Sequence, residues 1–432
     1  MNRVSLTGVG FILLAVCACA SGGGAASSSS LRVSGDAGTG ELLIGPSAHG
    51  PSVAVGSDGQ PWVAWTEGSG NEARSVVAHR SLAGWRLVDA RRGCAAPHLA
   101  LTGSGTLVAL RTCGDGPERE VFVAAYRDGG WGEMPGPDGA ALTKVRWEVG
   151  LESGVAVDGQ GMIVVAAAGS SGLAVFRHDG TRWQRLPAIP GASTRVHGPA
   201  LAVDAGGALV VAWSEQREAA VRDFEIYGAR FAGAAWSPLG EGDGRVSRHA
   251  SMEEQKHPEG AAVFCTMVPG NFDFTNPALA PGPRGRIALA FEGDTVGRAG
   301  SCPSGQVFAG TFAAPDVAWD GPADAAQDVG LGATGTMAET PAAAFLPPDE
   351  ALLAWVEASV DETEAPRWIR VRRGGAGRWS RVPELPDVSD AFEPALAASA
   401  TAACLAYRSS RGIGVRCAPA LGARGAQGDV PF

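Results

Sequence analysis

Residues 199–215, PALAVDAGGALVVAWSE, alternate small and bulky apolar side chains on either side of an Asp-Ala-Gly-Gly turn. A period of two marks half-buried strands, so the pattern predicts an antiparallel hairpin. The pattern recurs along the chain. Strand starts fall at Pro51, Pro97, Ser153, Pro199, Pro277, Pro341 and Pro394, between 46 and 78 residues apart. Three residues after each stands Ala54, Ala100, Ala156, Ala202, Ala280, Ala344 or Ala397. A second alanine follows at Ala64, Ala109, Ala166, Ala212, Ala290, Ala354 and Ala406. The next residue is large in six copies (Trp65, Leu110, Trp213, Phe291, Trp355 and Tyr407), with Ala167 as the exception.

Centring the hairpin on residue 207 sets Ala202 opposite Ala212 and Leu201 opposite Trp213, and the same parity sets Val53 against Trp65 and Leu279 against Phe291. Alternation then gives two unlike faces. Ala200, Ala202, Val210 and Ala212 make one face small, while Leu201, Val203, Val211 and Trp213 make the other bulky. A sheet with such faces stacks on a copy of itself, the large ring of one seated in the alanine hollow of the next.

Each copy continues with a third apolar segment, such as EIYGARF or VFVAAYR, and a fourth led by Trp85, Trp131, Trp183, Trp236, Trp319 or Trp379. Seven four-stranded units, stacked radially, make an all-β, seven-bladed β-propeller of antiparallel blades. The seventh copy ends after its third strand, near Cys417, and ELLIG at residues 41–45 is the spare strand expected to close it and hide an open edge. The expected organisation is an export signal over 1–18, a Gly/Ser/Ala-rich tether over 19–40, the propeller over 41–424 and a tail over 425–432.

The N-terminus changes the address. Arg3 precedes an apolar stretch too short for a membrane span, as in a secretory signal. Its end resembles the lipobox of bacterial lipoproteins. Cys19 follows Ala18 and is the expected lipidated residue, with Cys17 as the alternative. Alanine at the second mature position implies, by that resemblance, an outer-membrane address held by the lipid anchor alone. The remaining cysteines fall as neighbours within repeats, and in an exported protein Cys94–Cys113, Cys265–Cys302 and Cys404–Cys417 are expected to be disulfides. No clustered Cys/His spacing points to a metal. The formal charge of −10 and pI near 5.3 disfavour nucleic acid as a partner.

The first-to-second turns are short, whereas long stretches follow second strands (EQREAAVRDFE, EASVDETEAPRW) or link units, notably 237–276. Strand direction puts both kinds on one face, which is the expected functional surface. Glu67, Glu215, Glu292 and Glu357 end second strands there, placed to accept hydrogen bonds from sugar hydroxyls, pair with a partner's cations or help ligate calcium. No cofactor is otherwise implied. His49 and His197 occupy matching His-Gly-Pro positions and complete the candidate set.

The units resemble the degenerate repeats of sialidase-like bacterial propellers over nearly all the mature chain. The likeness is of fold, because the sialidase Asp-box is missing and Tyr126, Tyr227 and Tyr407 all lie in repeat strands, so no catalytic residue is carried over. The expected function is a surface-anchored, monomeric, non-catalytic binding or scaffold propeller of the bacterial envelope, its partner an envelope protein or glycan. The alternative is a carbohydrate-active protein, hydrolase or lectin, with its site at the channel mouth.

Overall fold

A computed structural model describes residues 47–137, 139, 141–146, 153–158, 160–204, 206–217, 224–239, 242–247, 272–295, 306–313, 336–346, 349–359, 366–375 and 378–419. The chain is a seven-bladed β-propeller of four-stranded antiparallel sheets. Blade 1 contains β1 (Ala48–Val55), β2 (Pro61–Glu67), β3 (Arg74–Ser81) and β4 (Gly84–Arg92). Blade 2 contains β5 (Cys94–Leu101), β6 (Leu107–Cys113), β7 (Glu118–Arg127) and β8 (Gly130–Glu133), with β9 (Thr143–Arg146) added to β7. Blade 3 contains β10 (Ser153–Val157), β11 (Ile163–Gly169), β12 (Gly172–His178) and β13 (Trp183–Arg185). Blade 4 contains β14 (Val196–Val203), β15 (Leu209–Glu215), β16 (Glu225–Ala232) and β17 (Ala235–Pro238). Blade 5 shows three strands among the described residues, β18 (Phe272–Pro281), β19 (Arg286–Thr295) and β20 (Gln306–Ala313). Blade 6 contains β21 (Thr336–Leu346), β22 (Glu350–Ser359), β23 (Trp368–Gly375) and β24 (Arg378–Arg381), with β25 (Val388–Ser389) added to β23. Blade 7 likewise shows three strands, β26 (Ala391–Ala398), β27 (Ala402–Ser409) and β28 (Gly412–Pro419). The expected signal (1–18), tether (19–40) and tail (425–432), the expected closing strand at 41–45, Trp319, Cys265 and Cys302 lie outside the described residues.

The first strands touch one another all the way round, so they form the innermost ring. Blade 7 meets blade 1 through Gly50 N–H donating to Glu393 Oε2 at 2.6 Å and Thr401 Oγ1 donating to Ser57 O at 3.2 Å. Between blades, bulky faces sit on small ones as the alternation predicts. Trp213, Val211 and Leu209 of blade 4 share a core with Ala166 and Ala168 of blade 3. On the other side Ala202, Ala212 and Val210 pack with Leu289 and Phe291 of blade 5. Ala290 and Ala309 of blade 5 receive Leu353 and Trp355 of blade 6, and Ala344 and Ala354 receive Leu405 and Tyr407 of blade 7. Trp65, Trp213 and Trp355 are almost wholly buried.

The register differs from the expected one by two residues. Ala200, not Ala202, lies opposite Ala212, and Leu201 faces Val211; likewise Val53 faces Val63 and Leu279 faces Leu289. The turn is the reason. Asp204 Oδ1 accepts the N–H groups of Gly206 and Ala208, each at 2.9 Å, which centres the loop on residue 206. An even slip keeps every side chain on its face, so the two-faced prediction survives it.

Blade 2 departs further. There His98 pairs with Leu110, and Leu99 with Ala109, so Arg111 rather than Leu110 takes the place that Trp65 and Trp213 hold. Arg111 is buried, ion-paired to Asp89 of β4, and its guanidinium lies 5.0 Å from the centre of the Trp131 ring. Cys94 and Cys113 are directly opposed and form a disulfide, as do Cys404 and Cys417.

In six blades a β-bulge precedes the inner-strand proline. Gly50, Ala96, Gly198, Asn276, Thr340 and Glu393, each just before that proline, all have positive φ, between 46° and 59°. Four of these are not glycine, and such backbone costs about 1–3 kcal/mol. The bulge turns its N–H toward the preceding blade: Ala96 N–H donates to Thr66 Oγ1 at 2.9 Å and Thr340 N–H to Glu292 Oε2 at 3.1 Å. The strained residue therefore fastens neighbouring blades at the inner ring.

Candidate functional site

Second strands run toward the face that carries the long connections, so their last residues stand at its rim. Glu67, Glu215 and Glu357 share one position, two residues after the interblade tryptophan and on the same side of the sheet. Trp65 Nε1 donates to Glu67 Oε1 at 3.1 Å, and Trp213 Nε1 to Glu215 Oε2 at 2.7 Å. Glu292 stands one residue after Phe291 and so points to the other side, where Asn276 Nδ2 reaches it at 2.9 Å and Thr340 N–H at 3.1 Å. That carboxylate pins blade 5 to blade 6.

What lies across the sheet distinguishes the other three. Glu67 faces Arg74, whose Nε donates to it at 2.6 Å. Glu215 faces Glu225, a like-charge pairing that needs separate neutralisation. Arg217 Nε lies 3.3 Å from Glu215, Ser193 N–H donates to the same carboxylate, and the Ser247 hydroxyl donates to Glu225. Arg217 also covers the Tyr227 ring at 3.6 Å and reaches Asp243 at 2.9 Å. Burial raises the Tyr227 pKa. Glu215 is 0% exposed, so this clamp fastens the connections around blade 4 and offers no carboxylate to solvent.

Glu357 faces Trp368. Arg370 donates to Glu357 Oε1 from Nε at 3.0 Å and Nη2 at 2.8 Å, and to Asp387 Oδ2 from Nη1 at 3.0 Å. Asp387 Oδ1 also accepts from Arg372 Nη1 at 2.8 Å and Val371 N–H at 3.2 Å. Burial pushes the Asp387 pKa up, but these bonds outweigh it and hold the carboxyl below its ordinary range. Burial likewise lowers the Arg370 pKa, and the bonds to Glu357 and Asp387 raise it above its usual value. Over this charged network stands Trp368, 36% exposed, with the Arg370 guanidinium 5.5 Å from its ring centre. The other exposed large apolar side chains among the described residues are Leu82 and Leu87, both in blade 1.

His49 and His197 occupy matching positions on the inner strands of blades 1 and 4. His49 Nδ1 lies 3.3 Å from Ser47 O, and the His197 ring meets Phe224 edge-on at 5.0 Å. Two blades separate them around the ring, and no contact between them is seen among the described residues. Among the described residues no three His, Cys, Asp or Glu side chains gather as a metal-holding group.

Sequence reasoning passed over Trp368, although it opens a third strand, whereas Trp85, Trp131, Trp183, Trp236 and Trp379 lead fourth strands and Trp65, Trp213 and Trp355 lie within second strands. It also passed over His98, which stands half-buried on the inner strand where the other blades place Ser, Gly or Ala. Burial lowers the His98 pKa from 6.5 to about 4. The unfolded chain takes up this proton near pH 6.5 and the folded chain only near 4, so the contribution to stability is complete above 6.5 and lost as pH falls through that window. Chemical denaturation between pH 7 and 4 should show a loss of about 3 kcal/mol that disappears in His98→Gln.

No protein-family model and no curated protein matches this sequence. Among solved structures, an ulvan lyase of a polysaccharide lyase family is similar with a TM-score of 0.53 and 9% identity, over 86% of this chain and 94% of that one. The α-L-arabinanase of Penicillium chrysogenum, complexed with arabinobiose, has a TM-score of 0.47 and 13% identity, over 87% and 94% of the two chains. A Hadza microbial sialidase has a TM-score of 0.42 and 10% identity, over 87% of this chain and 66% of that one. Sialidase and other propeller carbohydrate-active enzymes are thus among the structural neighbours, and identities this low speak to the fold alone.

Proposed function

We propose that the protein is a carbohydrate-active propeller that binds a saccharide on the face bearing the long connections, at the blade 6 rim around Trp368. This reading is preferred to the non-catalytic binding or scaffold propeller expected from the sequence. The observation that carries it is an exposed indole over a rigid Arg370–Glu357–Asp387 network. An indole face packs on the C–H face of a sugar ring, and the charged edge beside it bonds hydroxyls at fixed positions. Ligand sites commonly combine such an apolar platform with a few convergent polar groups. The bonds from Arg370 and Arg372 hold the Asp387 carboxyl below its ordinary range, so this half-buried acid serves as the acceptor for sugar hydroxyls, while buried Glu357 fixes Arg370 in place. The ulvan lyase supplies a polysaccharide-handling precedent for the scaffold and no more.

Affinity electrophoresis through gels loaded with ulvan, arabinan or sialylated mucin tests the proposal. Retardation is expected in at least one gel, with about tenfold weaker binding for Trp368→Ala at an unchanged melting temperature. Free migration of the wild type in all three gels, or undiminished retardation of the variant, counts against it.

A further inference from the structure

Blade 1 differs from its neighbours at its outer edge. β4 is nine residues long, whereas β8, β17 and β24 have four and β13 has three. Among the described residues β4 pairs only with β3, leaving one row of its backbone N–H and C=O groups open. Open edges are templates for another strand, and propellers normally keep them short. The surroundings are equally distinct. Leu87 of β4 is 40% exposed and Leu82, in the β3–β4 turn, is 100% exposed. Residues 74–92 carry five arginines (Arg74, Arg80, Arg86, Arg91 and Arg92) and one acid, Asp89, a net +4 within a chain of −10. Arg74 is paired with Glu67, Arg91 with Glu133 and Asp89 with Arg111, which leaves Arg80, Arg86 and Arg92 as the cations with no ion pair among the described residues.

These features define a surface for one kind of partner. Two devices already restrain self-association: the arginines repel a second copy of the same edge, and Val88 forms a bulge between the Ala78–Leu87 and Val77–Asp89 pairs. Both leave an acidic strand welcome. We infer that the outer edge of blade 1 binds an extended acidic peptide segment of a partner protein by β-strand addition. Main-chain bonds to β4 supply affinity, Arg86 and Arg92 select acidic side chains, and Leu87 accepts an apolar one. This surface is independent of the saccharide site on blade 6.

The test uses the full chain and a fluorescent, end-blocked octapeptide alternating glutamate and valine, followed by anisotropy. Saturable binding is expected. It should fall at least tenfold for the Arg86→Glu/Arg92→Glu variant and for a peptide alternating lysine and valine. It should be abolished by N-methylation of alternate amides, which keeps the charge and removes the strand pairing. Absence of saturable binding overturns the inference, and so does binding that the methylated peptide or the charge-reversed variant retains.

Discussion

Trp213→Ala is expected to lower the free energy of unfolding by about 3–5 kcal/mol, the range for truncating a large buried aromatic. The indole is 1% exposed and fills the hollow beside Ala166 and Ala168 of the preceding blade, an interface whose strands have little freedom to collapse. Its loss also strips Glu215 Oε2 of the donor at 2.7 Å. Trp213→Phe weights the two effects differently, because it keeps most of the volume while removing the N–H and a small part of the ring; a loss of about 1–2 kcal/mol is expected. Urea midpoints for the two variants check this. Equal losses for Phe and Ala would mean that the hydrogen bond, and not the packing, dominates.

Glu215→Ala should be nearly as severe, at about 3 kcal/mol or more, because it breaks a buried charged network from one side. Ser193 N–H and Trp213 Nε1 lose their acceptor, and Arg217 keeps only Asp243 and the Tyr227 ring. Glu225 would then remain without the clamp on its opposite strand. Glu215→Gln retains an acceptor oxygen and should lose about half as much. The same truncation at Glu67, which is partly exposed and among the described residues is held by Arg74 and its tryptophan, is expected to cost less than 1 kcal/mol. Denaturation of the three variants side by side ranks the sites; an equal effect at Glu67 and Glu215 would refute the burial argument.

The division into blades was readable from the chain because radial stacking imposes one alternation on every repeat. Ala202, Ala212 and Trp213 obey it so strictly that even the two-residue register error left each on its predicted face. The turn geometry was harder to read, since the centre of the loop is fixed by Asp204 accepting two backbone N–H groups, a choice that strand periodicity does not encode. Arg111 was hidden for a related reason: a charge in an aromatic position is tolerated only because Asp89 arrives from another blade. The disulfides Cys94–Cys113 and Cys404–Cys417 could be anticipated, because hairpin pairing brings sequence neighbours opposite each other.

The candidate site was less legible. Glu67, Glu215, Glu292 and Glu357 share a place at second-strand ends, yet their chemistry depends on what stands across the sheet. Arg74, Glu225 and Trp368 are the three opposing residues, and of these only Trp368 presents an exposed apolar ring. Pattern reading locates the rim of the propeller; the partner of each rim residue comes from pairing across long connections, which no local period records.

The interlocking of bulky on small faces is tested most directly by a double-mutant cycle between Ala212 of blade 4 and Phe291 of blade 5, both buried in one shared core. Ala212→Leu alone overpacks the hollow and Phe291→Ala alone opens a cavity, each expected to destabilise by roughly 1–5 kcal/mol. Combined, the added methyl groups fill the vacated space, so the double variant should be more stable than the sum of the singles by about 1–3 kcal/mol. Additivity within about 0.5 kcal/mol would mean that the two side chains do not meet, and would contradict the nesting of blades on which the architecture rests.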